Sequence, residues 1–100
     1  MHDASVYSIG FEREGTLHME RTNEWIATLL QTRGPDIYRM KGILSMEGCD
    51  DKYVYQGVHM MFTGEKLQPW GSGHRVNRLV FIGKNLNRAE LTASFESCLV

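Results

Sequence analysis

Ile37-Tyr-Arg-Met-Lys-Gly-Ile-Leu44, Tyr53-Val-Tyr-Gln-Gly-Val-His-Met-Met-Phe62 and Arg78-Leu-Val-Phe-Ile-Gly83 are the three segments whose reading decides the fold. Each is rich in β-branched and aromatic residues, as strands are. Each also carries polar groups that a buried sheet would not tolerate unpaired. Arg39 and Lys41 alternate with Met40 and Gly42, so the two basic heads leave the same face of their strand. That places them on a sheet face that is either simply solvated or used for docking to acidic groups. Gln56 and His59 raise the same question on the next strand. Gly42 and Gly57 sit mid-strand, where glycine often marks a bulge or the close approach of another backbone.

Working outward, Val6-Tyr-Ser-Ile-Gly-Phe11 alternates with Tyr7, Ile9 and Phe11 on one face, the pattern of a half-buried strand. From Glu24 to Arg33, Trp25, Ile26, Leu29 and Leu30 fall on one helical stripe. Thr22 or Asn23 can cap its start, and Gly34-Pro35 ends it. Glu47 to Lys52 is a polar, glycine-containing connection suited to a hairpin. Thr63 to Gly73 reads as a long loop around Pro69-Trp70-Gly71, and Val76 to Gly83 as the last strand. Asn87 with Glu90 resembles a capping box, with Leu86 and Leu91 as its staple, so a second helix starts there and carries Leu91, Phe95, Cys98 and Leu99. The expected fold is α+β: a two-layer sandwich in the order β-α-β-β-β-α. Its four-stranded, mainly antiparallel sheet carries two helices on one face.

The chain has 100 residues, enough for one domain with one core and no second lobe. Lys and Arg number 11 against 12 Asp and Glu, and they are scattered. No basic stripe points to nucleic acid or to a membrane surface. No apolar run is long enough to span a bilayer, and Met1-His-Asp-Ala-Ser is not a secretory leader. Cys49 and Cys98 are far apart and form neither a disulfide framework nor a CxxC metal pair, which favours a cytoplasmic or other reducing intracellular compartment.

The sequence offers little catalytic chemistry. It has no P-loop and no G-x-G-x-x-G turn. Its serines occupy no nucleophile elbow. The domain by itself is therefore read as a non-enzyme without a cofactor of its own. His59 with His74 or Cys49 is the weak candidate for a metal site, zinc for instance needing about three or four ligands. Tyr53 and Tyr55 are the only candidates for a base-stacking sheet face. Trp70 is either a satellite core residue or an interface anchor.

Taken in order, His2-Asp3, Val6-Tyr-Ser, Trp25, Leu29-Leu30, Asp36-Ile-Tyr-Arg-Met-Lys-Gly42, Tyr55-Gln-Gly-Val-His59, Pro69-Trp70, Arg78 to Gly83, Asn85-Leu86, Phe95 and Cys98-Leu99 resemble the C-terminal domain of CobW-type GTPase metallochaperones. The resemblance implies a single domain over residues 1–100, excised from a longer chain with an upstream P-loop GTPase domain. Met1 then reads as an added start or a trimmed boundary. GTP, magnesium and zinc or cobalt are implied for that parent. The domain itself is expected to contact the GTPase domain or a client metalloprotein. Arg39, Lys41, Gln56 and His59 would form the docking patch, with Trp70 at its rim.

Overall fold

The computed structural model describes residues 6–58 and 61–100. Among these residues, five strands and two helices follow in chain order. They are β1 (Tyr7–Glu14), α1 (Met19–Arg33), β2 (Ile37–Ser45), β3 (Asp51–Val58), β4 (Met61–Pro69), β5 (Val76–Gly83) and α2 (Arg88–Glu96). The sheet has the order β1-β5-β2-β3-β4, and every neighbouring pair is antiparallel. β1 and β2 both run against β5, so they are parallel to one another with β5 between them.

The architecture is the expected α+β sandwich, with one correction. The segment read as a loop after Thr63 is largely strand: β4 pairs with β3 from Val58–Met61 to Asp51–Pro69. The sheet thus has five strands rather than four. β4 is an edge strand exposed to water on both faces. It needs no apolar alternation, and so gave none to read. The long segment from Tyr53 to Phe62 divides between β3 and β4.

Helix α1 starts earlier than its apolar stripe suggests. His18 is its N-cap and offers no side-chain bond, while Thr22 is buried within the first turns and donates back to the His18 carbonyl at 2.8 Å. A 3₁₀ turn over Gly34–Asp36 with Pro35 near its start closes it. α2 starts as its sequence predicts: the Asn87 side chain accepts from the Glu90 N–H at 2.9 Å.

Both helices lie on the same face as Ile9, Phe11, Met40, Leu44, Leu79 and Phe81, and the core forms between them. Four aromatic rings meet at its centre. Phe95 packs edge-on against Phe11 and Trp25, each at 5.5 Å between centroids, and Phe81 lies beneath Trp25 at 6.2 Å. The Trp25 Nε1–H donates to Ser94 Oγ at 2.8 Å, tying α1 to α2 through the one polar atom of that cluster.

One buried polar residue joins three strands. Asn77 is fully buried; its Oδ1 accepts from the Ser45 N–H at 2.8 Å, and its Nδ2 donates to the Arg13 and Gly15 carbonyls, each at 3.0 Å. Its side chain therefore links the end of β1, β2 and β5. Gly83 is required by contact: a Cβ there would fall 1.9 Å from the Asp36 carbonyl oxygen.

Candidate functional site

Register settles which face each polar strand residue takes. In β2, Met40, Gly42 and Leu44 are buried toward the helices, while Arg39 and Lys41 are exposed on the opposite, open face. Lys41 lies opposite Gln56 on β3 and Val80 on β5, and Gln56 lies opposite Thr63 on β4. One row across the sheet therefore reads Val80, Lys41, Gln56, Thr63. The next row reads Ile82, Arg39, Val58, Met61, because Arg39 faces Ile82 and Val58, and Val58 faces Met61.

These two rows line a shallow concavity of about 530 Å³. Its wall is mainly aliphatic, with the basic pair, Gln56 and Thr63 set into it. Val58 is 47% exposed, Val80 44% and Met61 78%, so three large apolar side chains face water beside two cations. Open antiparallel faces usually present polar residues. A contiguous apolar patch rimmed by polar groups is the mark of an interaction surface.

Charge on this face is unevenly compensated. Next to these rows, Arg78 pairs with Glu12 at 3.0 Å on the same open face. Arg13 with Glu96 at 2.7 Å and Arg33 with Glu90 at 2.9 Å are also paired. Among the described residues, Arg39 and Lys41 have no carboxylate partner. Two adjacent cations without counter-charge are well disposed toward a carboxylate or another anion.

The other described sequence candidates do not join this group. His59 lies outside the described residues. Trp70 lies at the opposite end of the β3–β4 ladder, where its backbone N–H donates to the Asp50 carbonyl at 2.9 Å and Lys52 Nζ stands 5.4 Å from its ring centroid. It is not at the rim of the patch, because the ladder separates the Val58–Met61 end from the Asp51–Pro69 end. His74 meets Glu14 at 2.7 Å, and Cys49 Sγ donates to the Asp51 carbonyl. Among the described residues no three His, Cys, Asp or Glu side chains converge as metal ligands do.

Tyr53 and Tyr55 are also placed away from the open face. Tyr55 is buried on the helix side and donates its hydroxyl to Asn23 on α1. Burial, with Tyr53 close by, pushes its phenol above the ordinary value. A base-stacking platform built on these two rings is thereby ruled out. Gly57 shows why β3 carries a mid-strand glycine: the Phe62 ring crosses it from β4, 2.5 Å from where a Cβ would be. An aromatic ring, rather than a bulge or another backbone, fills that space.

Residues 6–99 match the profile of the cobalamin synthesis protein cobW C-terminal domain. The chain belongs to the CobW C-terminal domain family. A curated relative is the zinc chaperone YjiA of Escherichia coli, 27% identical over 90 residues, a match covering 90% of this chain and 28% of YjiA. The solved Zn(II)-bound YjiA GTPase superposes with a TM-score of 0.90 at 25% identity, over 96% of this chain and 30% of that one. A Zn(II)-bound triple mutant of the same GTPase gives 0.91 over the same shares. The CobW C-terminal fold is thus shared almost throughout, while the chain spans less than a third of the length of these relatives. Among the described residues no helix is long and apolar enough to cross a membrane.

Proposed function

We propose that this domain is a non-catalytic docking module of a GTP-dependent metal chaperone. On this reading its open sheet face meets either the GTPase domain of the same protein or a client metalloprotein. The observation that carries the proposal is the pairing of two uncompensated cations, Arg39 and Lys41, with exposed Val58, Met61 and Val80 in one concavity. Apolar contact supplies the favourable burial and the cations select an acidic partner, the division of labour seen across protein interfaces. Gln56 and Thr63 contribute hydrogen-bonding groups between the two. Zinc enters as the cargo named for the relatives, and GTP and magnesium belong to the GTPase domain of the longer protein. The proposal does not use His59.

The test is the affinity of the parent's GTPase domain for this chain in its GTP-bound and GDP-bound forms. Arg39→Glu with Lys41→Glu is expected to weaken binding at least tenfold in one of the two states, as loss and reversal of charge pairs at an interface does. Unchanged affinity in both states, and for client proteins, would end the assignment of the patch.

A further inference from the structure

Among the described residues β4 ends the sheet and pairs on its β3 side alone. Apart from half-buried Phe62 it is exposed along its length, with Met61 78% and Leu67 39% exposed. An open edge offers a row of free N–H and C=O groups to any other strand. Edge charges commonly deter such pairing, and β4 carries Glu65 and Lys66. Their spacing, however, selects one pairing while opposing others.

We infer that β4 pairs antiparallel with β4 of a second copy of this chain, about a two-fold axis at Gly64. A two-fold axis normal to the sheet keeps both faces continuous, so opposed residues must belong to the same face. Pairings centred between two residues break that rule, and only pairings centred on a residue remain. Centring on Glu65 sets Glu65 against its own copy, and centring on Lys66 does the same for Lys66; like charges directly opposite are destabilising. Centring on Thr63 confines the ladder to Met61 through Glu65. Centring on Leu67 confines it to Glu65 through Pro69, which lacks an N–H.

The pairing centred on Gly64 runs from Met61 to Leu67 and opposes no like charges. It sets Met61 against Leu67 at both ends, which covers the two exposed apolar side chains. It sets Thr63 against Glu65 on the open face, and Phe62 against Lys66 on the helix side, where a cation can lie over the ring. Gly64 suits the axis. The Tyr55 and Tyr53 rings already occupy its side-chain space, at 2.9 and 3.0 Å from a would-be Cβ. Four tyrosines, two from each copy, then flank the axis on the helix side.

The joined sheet has ten strands with one continuous open face. Its two β2 strands lie about 24 Å apart, five strand spacings. A single short ladder is at the small end of specific interfaces, below roughly 1,200 Å². The dimer is therefore weak and concentration-dependent.

Sedimentation of the chain from micromolar to millimolar concentration tests this. The wild type is expected to shift from monomer to dimer across that range. Thr63 faces Glu65 twice per dimer, so Thr63→Lys is expected to tighten the dissociation constant about fivefold and Thr63→Glu to weaken it by a similar factor. Thr63→Lys combined with Glu65→Lys should lose the gain. Circular dichroism and thermal melting confirm that each variant is folded. A wild type that stays monomeric at millimolar concentration, or Thr63 variants that shift association in the same direction, would overturn the inference.

Discussion

Replacing Asn77 by Ala removes three hydrogen bonds at once. The Ser45 N–H loses its acceptor, and the Arg13 and Gly15 carbonyls lose their donor. The site is fully buried, so the side chain's loss leaves polar backbone groups without a partner. One buried unsatisfied group costs about 1–3 kcal/mol. The three here share one side chain and are not additive, which sets the expected loss at about 3 kcal/mol for a domain whose total is about 5–15 kcal/mol. At about 4–8 °C per kcal/mol for a chain of this size, the melting temperature falls by roughly 12–24 °C. Urea unfolding gives the free energy directly, and an unchanged slope would show that the denatured state is unaltered. The neighbouring Ser45→Ala is the internal contrast. The Ser45 hydroxyl is buried with no partner, while its backbone N–H keeps its bond to Asn77. That variant should be neutral or more stable by up to about 1 kcal/mol. A loss under about 1 kcal/mol for Asn77→Ala, or a larger loss for Ser45→Ala than for Asn77→Ala, would refute the reasoning.

Gly57→Ala should cost about 1–3 kcal/mol by displacing the Phe62 ring, and much less in a Phe62→Ala background, as a double-mutant cycle by urea unfolding would show. Burial raises the Cys98 thiol above its ordinary value of 9.0 and the Tyr55 phenol above 10.0. Raised values mean that both groups favour the folded state while neutral. That contribution is complete below pH 9 and is lost as pH climbs through the folded values. Chemical denaturation at rising pH should accordingly show stability falling in the alkaline range, with a smaller fall in Cys98→Ala. Native Cys98 should resist alkylation at neutral pH, while half-buried Cys49 reacts first, which mass spectrometry of the alkylated chain distinguishes. Arg39→Glu with Lys41→Glu should leave the unfolding free energy within about 0.5 kcal/mol, since both side chains are exposed and, among the described residues, neither is ion-paired.

Much of the fold was legible because the interior elements repeat the period of their surroundings. Leu79 and Phe81 alternate with Arg78 and Val80 on a strand covered on one side, and that strand was found with its bounds intact. Asn87 and Glu90 mark a helix start whose geometry depends on residues three apart. β4 was not legible, because a strand exposed on both faces has no buried set to impose a period. The same reason hid the division of Tyr53 to Phe62 between two strands.

The site was legible in part. Arg39 and Lys41 share a face by parity alone, but their meeting with Gln56 and Val80 depends on register, which no local pattern determines. Trp70 was misplaced because its distance from the patch follows from a ladder that the sequence did not reveal. The role of Asn77 is not legible in the sequence. A polar strand residue looks alike whether water or three backbone groups satisfy it, and only the convergence of β1, β2 and β5 distinguishes the two.

Methyl NMR of this chain titrated with a CobW-type GTPase domain tests the proposed docking face most directly, because methyl groups report on one face of a sheet at a time. The account predicts shifts or broadening at Val58, Met61, Val80 and Ile82, with Leu44, Leu79 and Leu91 unmoved. Shifts confined to the helix-covered side, or an unchanged open face at saturating GTPase domain and client, would contradict it.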